Sequence, residues 1–116
     1  MNGTIPEEIF KNTALVNVLL GYNDLTGELS WDLSSLPNLR IFNITRNNLF
    51  GNIPLSTFDS RSLESLDLSH NEFQGKLAAN FEYLTTLKHL YLEENDFDGT
   101  IPTELARCNL LGKFGA

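Results

Sequence analysis

The chain holds one cysteine in 116 residues, so no disulfide can form within it. Basic residues are scarce: eight Lys and Arg stand against 15 Asp and Glu, giving a formal net charge of −7 and a pI near 4.6. A nucleic-acid surface needs a basic stripe to displace counterions from phosphates, and this balance argues against one. Long apolar runs are also missing. The longest, such as "ALVNVLL", fall far below the roughly 20 residues that a membrane-spanning helix requires. The amino-terminal "MNGTIPEEIF" has neither the basic start nor the apolar segment of an export signal. No second Cys or His lies at metal-ligand spacing from Cys108, so no metal is expected, and nothing calls for a cofactor.

What the chain does have is apolar content, 41% of its residues, which suits a packed core rather than disorder. It also has a recurring pattern. The stretch "LDLSHNEFQGKL", residues 66–77, returns every 24 residues without insertions. Full units occupy residues 15–38, 39–62, 63–86 and 87–110; residues 1–14 complete an earlier unit and residues 111–116 begin a later one. The whole chain is therefore a single array. Its core columns are nearly uniform: Val18, Phe42, Leu66, Leu90, then Leu20, Ile44, Leu68, Leu92. Next comes an Asn column, Asn23, Asn47, Asn71, Asn95, followed by Leu25, Leu49, Phe73, Phe97 and by Gly27, Gly51, Gly75, Gly99. Leu29, Ile53, Leu77 and Ile101 close the series.

Alternation at Leu66 and Leu68 predicts a half-buried strand, with Asp67 and Ser69 facing outward. Equivalent strands one unit apart can pair in parallel if each unit makes one coil. A single unit buries too little apolar surface to offset its chain entropy, so the coils must share a core. Beyond the strand the chain turns inward, and its peptide groups lose their ladder partners. Stacked Asn side chains, with two donors and an acceptor each, are expected to satisfy them. The glycines allow positive φ or close approach between coils. Pro6, Pro54 and Pro102 suit the outer side, where a missing donor is tolerated. Cys108 shares a column with Leu36 and Leu84 and reads as a small buried hydrophobe.

The pattern L-x-x-L-x-L-x-x-N-x-L-x-G-x-I-P resembles the leucine-rich repeat, and its "GxIP" ending resembles the plant extracellular class. The resemblance covers essentially the whole chain. It implies an α/β repeat: a solenoid with a concave parallel β-sheet and an irregular, short-helical convex side. It also implies a protein- or peptide-binding module of a plant receptor ectodomain in signalling or defence, with a peptide ligand and a co-receptor as partners. The location so implied is the outer face of the plasma membrane or secreted, with any membrane contact made by other parts of a longer protein. Two other readings fit the same repeats: a secreted inhibitor of cell-wall-degrading enzymes such as polygalacturonase, and a truncated adaptor without a ligand. The paired-Cys caps of the family are missing from the chain, and "LGKFGA" opens a unit without finishing it. An internal piece of a longer array is therefore expected, with Ile5, Ile9, Phe10, Leu111 and Phe114 exposed at its ends.

Function must come from the outer face. Four columns are expected there: Asn17, Ile41, Ser65, His89; Leu19, Asn43, Asp67, Tyr91; Gly21, Thr45, Ser69, Glu93; and Tyr22, Arg46, His70, Glu94. Unlike the core columns, they change from unit to unit, as a surface recognising an irregular ligand would and as a face under neutral drift would. The candidate contact residues are Leu19, Tyr22, Ile41, Asn43, Arg46, Asp67, His70, Tyr91 and Glu94. Tyr and Arg are enriched at binding hot spots, and Arg46 could take a carboxylate or sulfate. Sequons at Asn2 ("NGT") and Asn43 ("NIT") are candidate glycosylation sites, and a glycan on Asn43 would obstruct the concave face. No nucleophile, base and oxyanion donor can be assembled, and Glu93 with Glu94 reads as solvated surface, so an enzyme is not expected.

Overall fold

The computed structural model describes residues 2–29, 33–53, 60–75 and 86–97. Cys108, Leu111, Phe114, Pro54, Pro102, Leu77, Leu84, Gly99 and Ile101 lie outside them.

The alternating segments form the expected strands. Strands β2 (Asn17–Leu19), β4 (Ile41–Asn43), β6 (Ser65–Asp67) and β8 (His89–Tyr91) build a four-stranded parallel sheet in the order β2-β4-β6-β8. Asn17 pairs with Ile41, Ile41 with Ser65 and Ser65 with His89, so the register equals the sequence period. Each strand buries its central residue, Val18, Phe42, Leu66 or Leu90. The next inward column follows: Ile44, Leu68 and Leu92 are buried, and Leu20 in the first coil is half-buried.

A second sheet was not expected. Strands β1 (Asn2–Gly3), β3 (Asp24–Glu28), β5 (Asn48–Asn52), β7 (Glu72–Gly75) and β9 (Asp96–Phe97) pair in parallel, five strands in the order β1-β3-β5-β7-β9. Its register is 22 residues, not 24: Thr26 pairs with Asn48, Phe50 with Glu72 and Gln74 with Asp96. Each strand has thus slipped by two positions against the repeat. A slip of two preserves which face each side chain takes, whereas a slip of one would reverse it. Leu25, Leu49 and Phe73 accordingly all remain in the core.

Between the sheets each chain turns through a residue of positive φ: Tyr22 (59°), Arg46 (59°), His70 (55°) and Glu94 (57°). These residues were expected at the outward end of a strand and lie instead in the turn that follows it. The adjacent Asn side chains satisfy the turn. Asn47 Nδ2 donates to the carbonyls of Ile44 and, in the preceding coil, Leu20, both at 3.0 Å; its Oδ1 accepts from the Leu25 amide at 3.0 Å. Asn71 and Asn95 repeat the arrangement one and two coils on. The second sheet carries its own positive-φ column. Gly51 (90°) and Gly75 (87°) lie so close to the previous coil that a Cβ would meet Glu28 Cγ at 3.0 Å and overlap Asn52 Oδ1 respectively. Positive φ and close approach both act there.

On the convex side two short 3-10 helices appear among the described residues, η1 (Glu7–Lys11), entered from Pro6, and η2 (Leu33–Ser35). The expected exposure of Ile5, Ile9 and Phe10 is not found. All three are half-buried and pack on the core, with the Phe10 ring 6.2 Å from that of Phe42. The half-unit before the first full coil closes over it. No helix of the described residues is long and apolar enough to cross a membrane.

Candidate functional site

The concave sheet presents its outward side chains in rows across adjacent strands. Leu19, Asn43, Asp67 and Tyr91 are consecutive register partners, and Asn17, Ile41, Ser65 and His89 form the row beside them. Three strand spacings separate Leu19 from Tyr91, roughly 14 Å. These candidates therefore share a face without forming one cluster.

The first coil supplies the most exposed apolar groups. Leu19 is 66% and Tyr22 75% solvent-accessible, and Val16 adds a further exposed side chain. Ile41, the neighbour of Asn17, is half-buried. The left-handed turn throws Tyr22 and Arg46 out on the rim in successive coils, where the Arg46 guanidinium carbon stands 5.4 Å from the Tyr22 ring centroid. The cation thus lies within cation–π range of the aromatic ring. Leu19, Tyr22, Ile41 and Arg46 make one corner of the face. His70 and Glu94 continue the rim in the next two coils, His70 half-buried and Glu94 exposed. At the far end the rings of His89 and Tyr91 stack, 6.4 Å apart and 2° from parallel.

The third outward column is a correction. Thr45 and Ser69 were expected on the surface, yet they are 7% and 3% exposed. Their hydroxyls bond to each other at 2.8 Å, and Thr45 also donates to the Ser69 carbonyl. The turn begins at this position and carries the side chain back toward the neighbouring coil. Asn43 and Asp67 serve the same turn: Asn43 Oδ1 accepts from the Thr45 amide at 3.0 Å, and Asp67 Oδ1 accepts from the Ser69 amide at 3.0 Å and its hydroxyl at 2.5 Å. Both side chains are half-buried, so each presents only part of its polar surface to a ligand. Asn43 is nonetheless on the concave sheet beside Leu19, so a glycan there would stand within the candidate surface.

One charged column escaped notice in the sequence. Val16, Arg40, Glu64 and Lys88 precede the strands at the 24-residue period. Arg40 Nε lies 2.6 Å from one Glu64 oxygen, while Arg40 Nη2 and Lys88 Nζ approach the other at 3.4 and 3.8 Å. The hydrogen bond from Arg40, with the charges of Arg40 and Lys88 behind it, holds the Glu64 carboxyl below its ordinary range, and Arg40 is raised in turn. The alternation of sign down this column was the available signal. Glu93 and Glu94 do not face a shared substrate position: Glu93 is half-buried and Glu94 sits in the left-handed turn. Among the described residues no group of three His, Cys, Asp or Glu side chains could hold a metal ion.

The family profile described as leucine rich repeat matches residues 37–97, and a second leucine-rich-repeat profile matches residues 86–113. No curated protein matches the chain. Among solved structures, the plant peptide hormone receptor RGFR1 in complex with RGF2 is 34% identical over 97% of this chain and 19% of its own, with a TM-score of 0.84. Pollen Receptor Kinase 3 is also 34% identical, over 97% of this chain and 55% of its own, with a TM-score of 0.87. The Arabidopsis receptor kinase HAESA, in complex with the peptide hormone IDA and the co-receptor SERK1, is 28% identical over 97% and 20%, with a TM-score of 0.86. The chain spans 21%, 19% and 14% of the length of three such receptor structures.

Proposed function

Because the chain belongs to the leucine-rich-repeat family, we propose that it is a ligand-binding section of a plant cell-surface receptor ectodomain, acting on the extracellular side in signalling or defence. Its ligand is a protein or peptide held on the concave face, and a co-receptor is the natural second partner. The solved relatives support this reading, since RGFR1 is seen with a peptide and HAESA with a peptide and SERK1. The module recognises and does not catalyse.

One observation carries the proposal. The core side chains repeat from coil to coil, while the exposed concave side chains change and gather Leu19, Tyr22 and Arg46 into an amphipathic corner. Burying two large apolar side chains beside a charged guanidinium is the composition of a binding hot spot. Tyr91 on the sheet and His70 and Glu94 along the rim then read the remainder of the ligand.

The test is surface plasmon resonance of the chain against a synthetic panel of secreted plant peptides, with the Tyr22→Ala/Arg46→Ala/Tyr91→Ala variant run in parallel. A peptide that binds the parent and loses about tenfold or more in the variant supports the corner. A peptide bound equally by both removes it.

A further inference from the structure

The outer face of the second sheet differs from the concave face in charge. Its exposed residues are Asp24, Thr26, Glu28, Asn48, Phe50, Asn52, Glu72, Gln74 and Asp96. Four are carboxylates, and among the described residues none of these four has a side-chain hydrogen bond or ion pair. Every described Lys and Arg lies elsewhere: Lys11 on η1, Arg40 and Lys88 beside the concave strands, Arg46 on the rim and Arg61 in a loop. On the concave side, by contrast, acids and bases are mixed and Glu64 is neutralised by two cations.

An aromatic ring stands at the middle of this acidic face. Phe50 is 45% exposed although its chain neighbours Leu49 and Gly51 point inward or lie flat. Its register partners are Glu28 on one side and Glu72 on the other. Adjacent strands are about 4.8 Å apart, so the residues that carry the two carboxylates are the immediate cross-strand neighbours of Phe50. Five paired strands make the platform roughly 19 Å wide. An exposed ring gains by being covered, and the two carboxylates beside it favour a partner that brings positive charge.

We propose that the outer face of the second sheet is a separate docking site for a basic protein segment. An apolar side chain of the partner covers Phe50, and Lys or Arg residues on either side meet Glu28 and Glu72. Asp24 and Asp96 extend the same field and steer the partner's approach. The site is independent of the concave corner, so the two surfaces can be occupied together.

The probe is a fluorescein-labelled heptapeptide alternating Lys and Leu, titrated against the full 116-residue chain by fluorescence anisotropy. Its control replaces each Lys with Glu. Binding of the basic peptide is expected to weaken about tenfold in Glu28→Gln/Glu72→Gln and severalfold in Phe50→Ser, and to fall steeply from about 50 to about 500 mM NaCl. Tyr22→Ala/Arg46→Ala is expected to bind it as the parent does. All these positions are exposed, and circular dichroism melts should coincide with the parent's. Failure of the basic peptide to bind better than its acidic control overturns the proposal. So does equal binding by the parent and the Glu28→Gln/Glu72→Gln variant, or a loss confined to Tyr22→Ala/Arg46→Ala.

Discussion

Four hydrogen bonds converge on the side chain of Asn71, each from or to a backbone group. Its Nδ2 donates to the carbonyls of Ile44, Leu68 and Ser69 at 3.0, 3.4 and 3.1 Å, and its Oδ1 accepts from the Leu49 amide at 3.1 Å. Asn71→Ala leaves the buried Leu49 amide without its acceptor and takes one donor from carbonyls in two coils, and should cost about 2–4 kcal/mol in urea denaturation. Asn is the residue that suits this place because it both donates and accepts; Asp would lose the donors. The uniform Asn column was therefore readable from the sequence. The left-handed residue just before it was not. Tyr22, Arg46, His70 and Glu94 share one backbone conformation yet have nothing chemically in common, and non-glycine residues visit that region at a cost of about 1–2 kcal/mol. The coil geometry imposes it, so no side-chain preference announces it.

At the level of elements, the column of Arg40, Glu64 and Lys88 links three successive coils by charge. The Glu64 carboxyl is held below its ordinary range, chiefly by the Arg40 hydrogen bond. A carboxyl depressed in the folded state contributes stability above its unfolded pKa and loses it as the pH falls through the folded value. The difference in urea midpoint between the parent and Glu64→Gln should accordingly be present near neutral pH and be lost as the pH falls below the ordinary carboxylate range. Arg40 and Lys88 are solvent-exposed and Glu64 is only half-buried, so the difference should be small and should shrink further with added salt. The first sheet was legible because Leu66 and Leu68 alternate on a clean period. The second was hidden because its strands, such as Asp24–Glu28, contain Gly and acidic residues that rarely favour strands. Parallel neighbours and the Asn ladder hold that backbone extended, so tertiary pairing overrides local preference.

For the molecule as a whole, each coil is stabilised by the coils beside it. Leu20 and Leu68 occupy the same column, but Leu68 is fully buried between two coils and Leu20, in the first full coil, is half-buried. Leu68→Ala should cost about 2–5 kcal/mol and Leu20→Ala about half as much or less, measured by thermal or urea unfolding followed by circular dichroism. Equal costs would mean that the end coil is as well enclosed as the middle. By itself the sequence determined the 24-residue coil, the leucine interior, the Asn column and the parallel concave sheet. Those features repeat, and a repeated side chain in a repeated environment declares its role. Only the tertiary structure decided the two-residue slip of the second sheet, the burial of Thr45 and Ser69, the left-handed turn at Tyr22 and Arg46, and the company of Phe50 with Glu28 and Glu72. These depend on how one coil sits upon the next, and stacking is a relation between units that no single unit encodes.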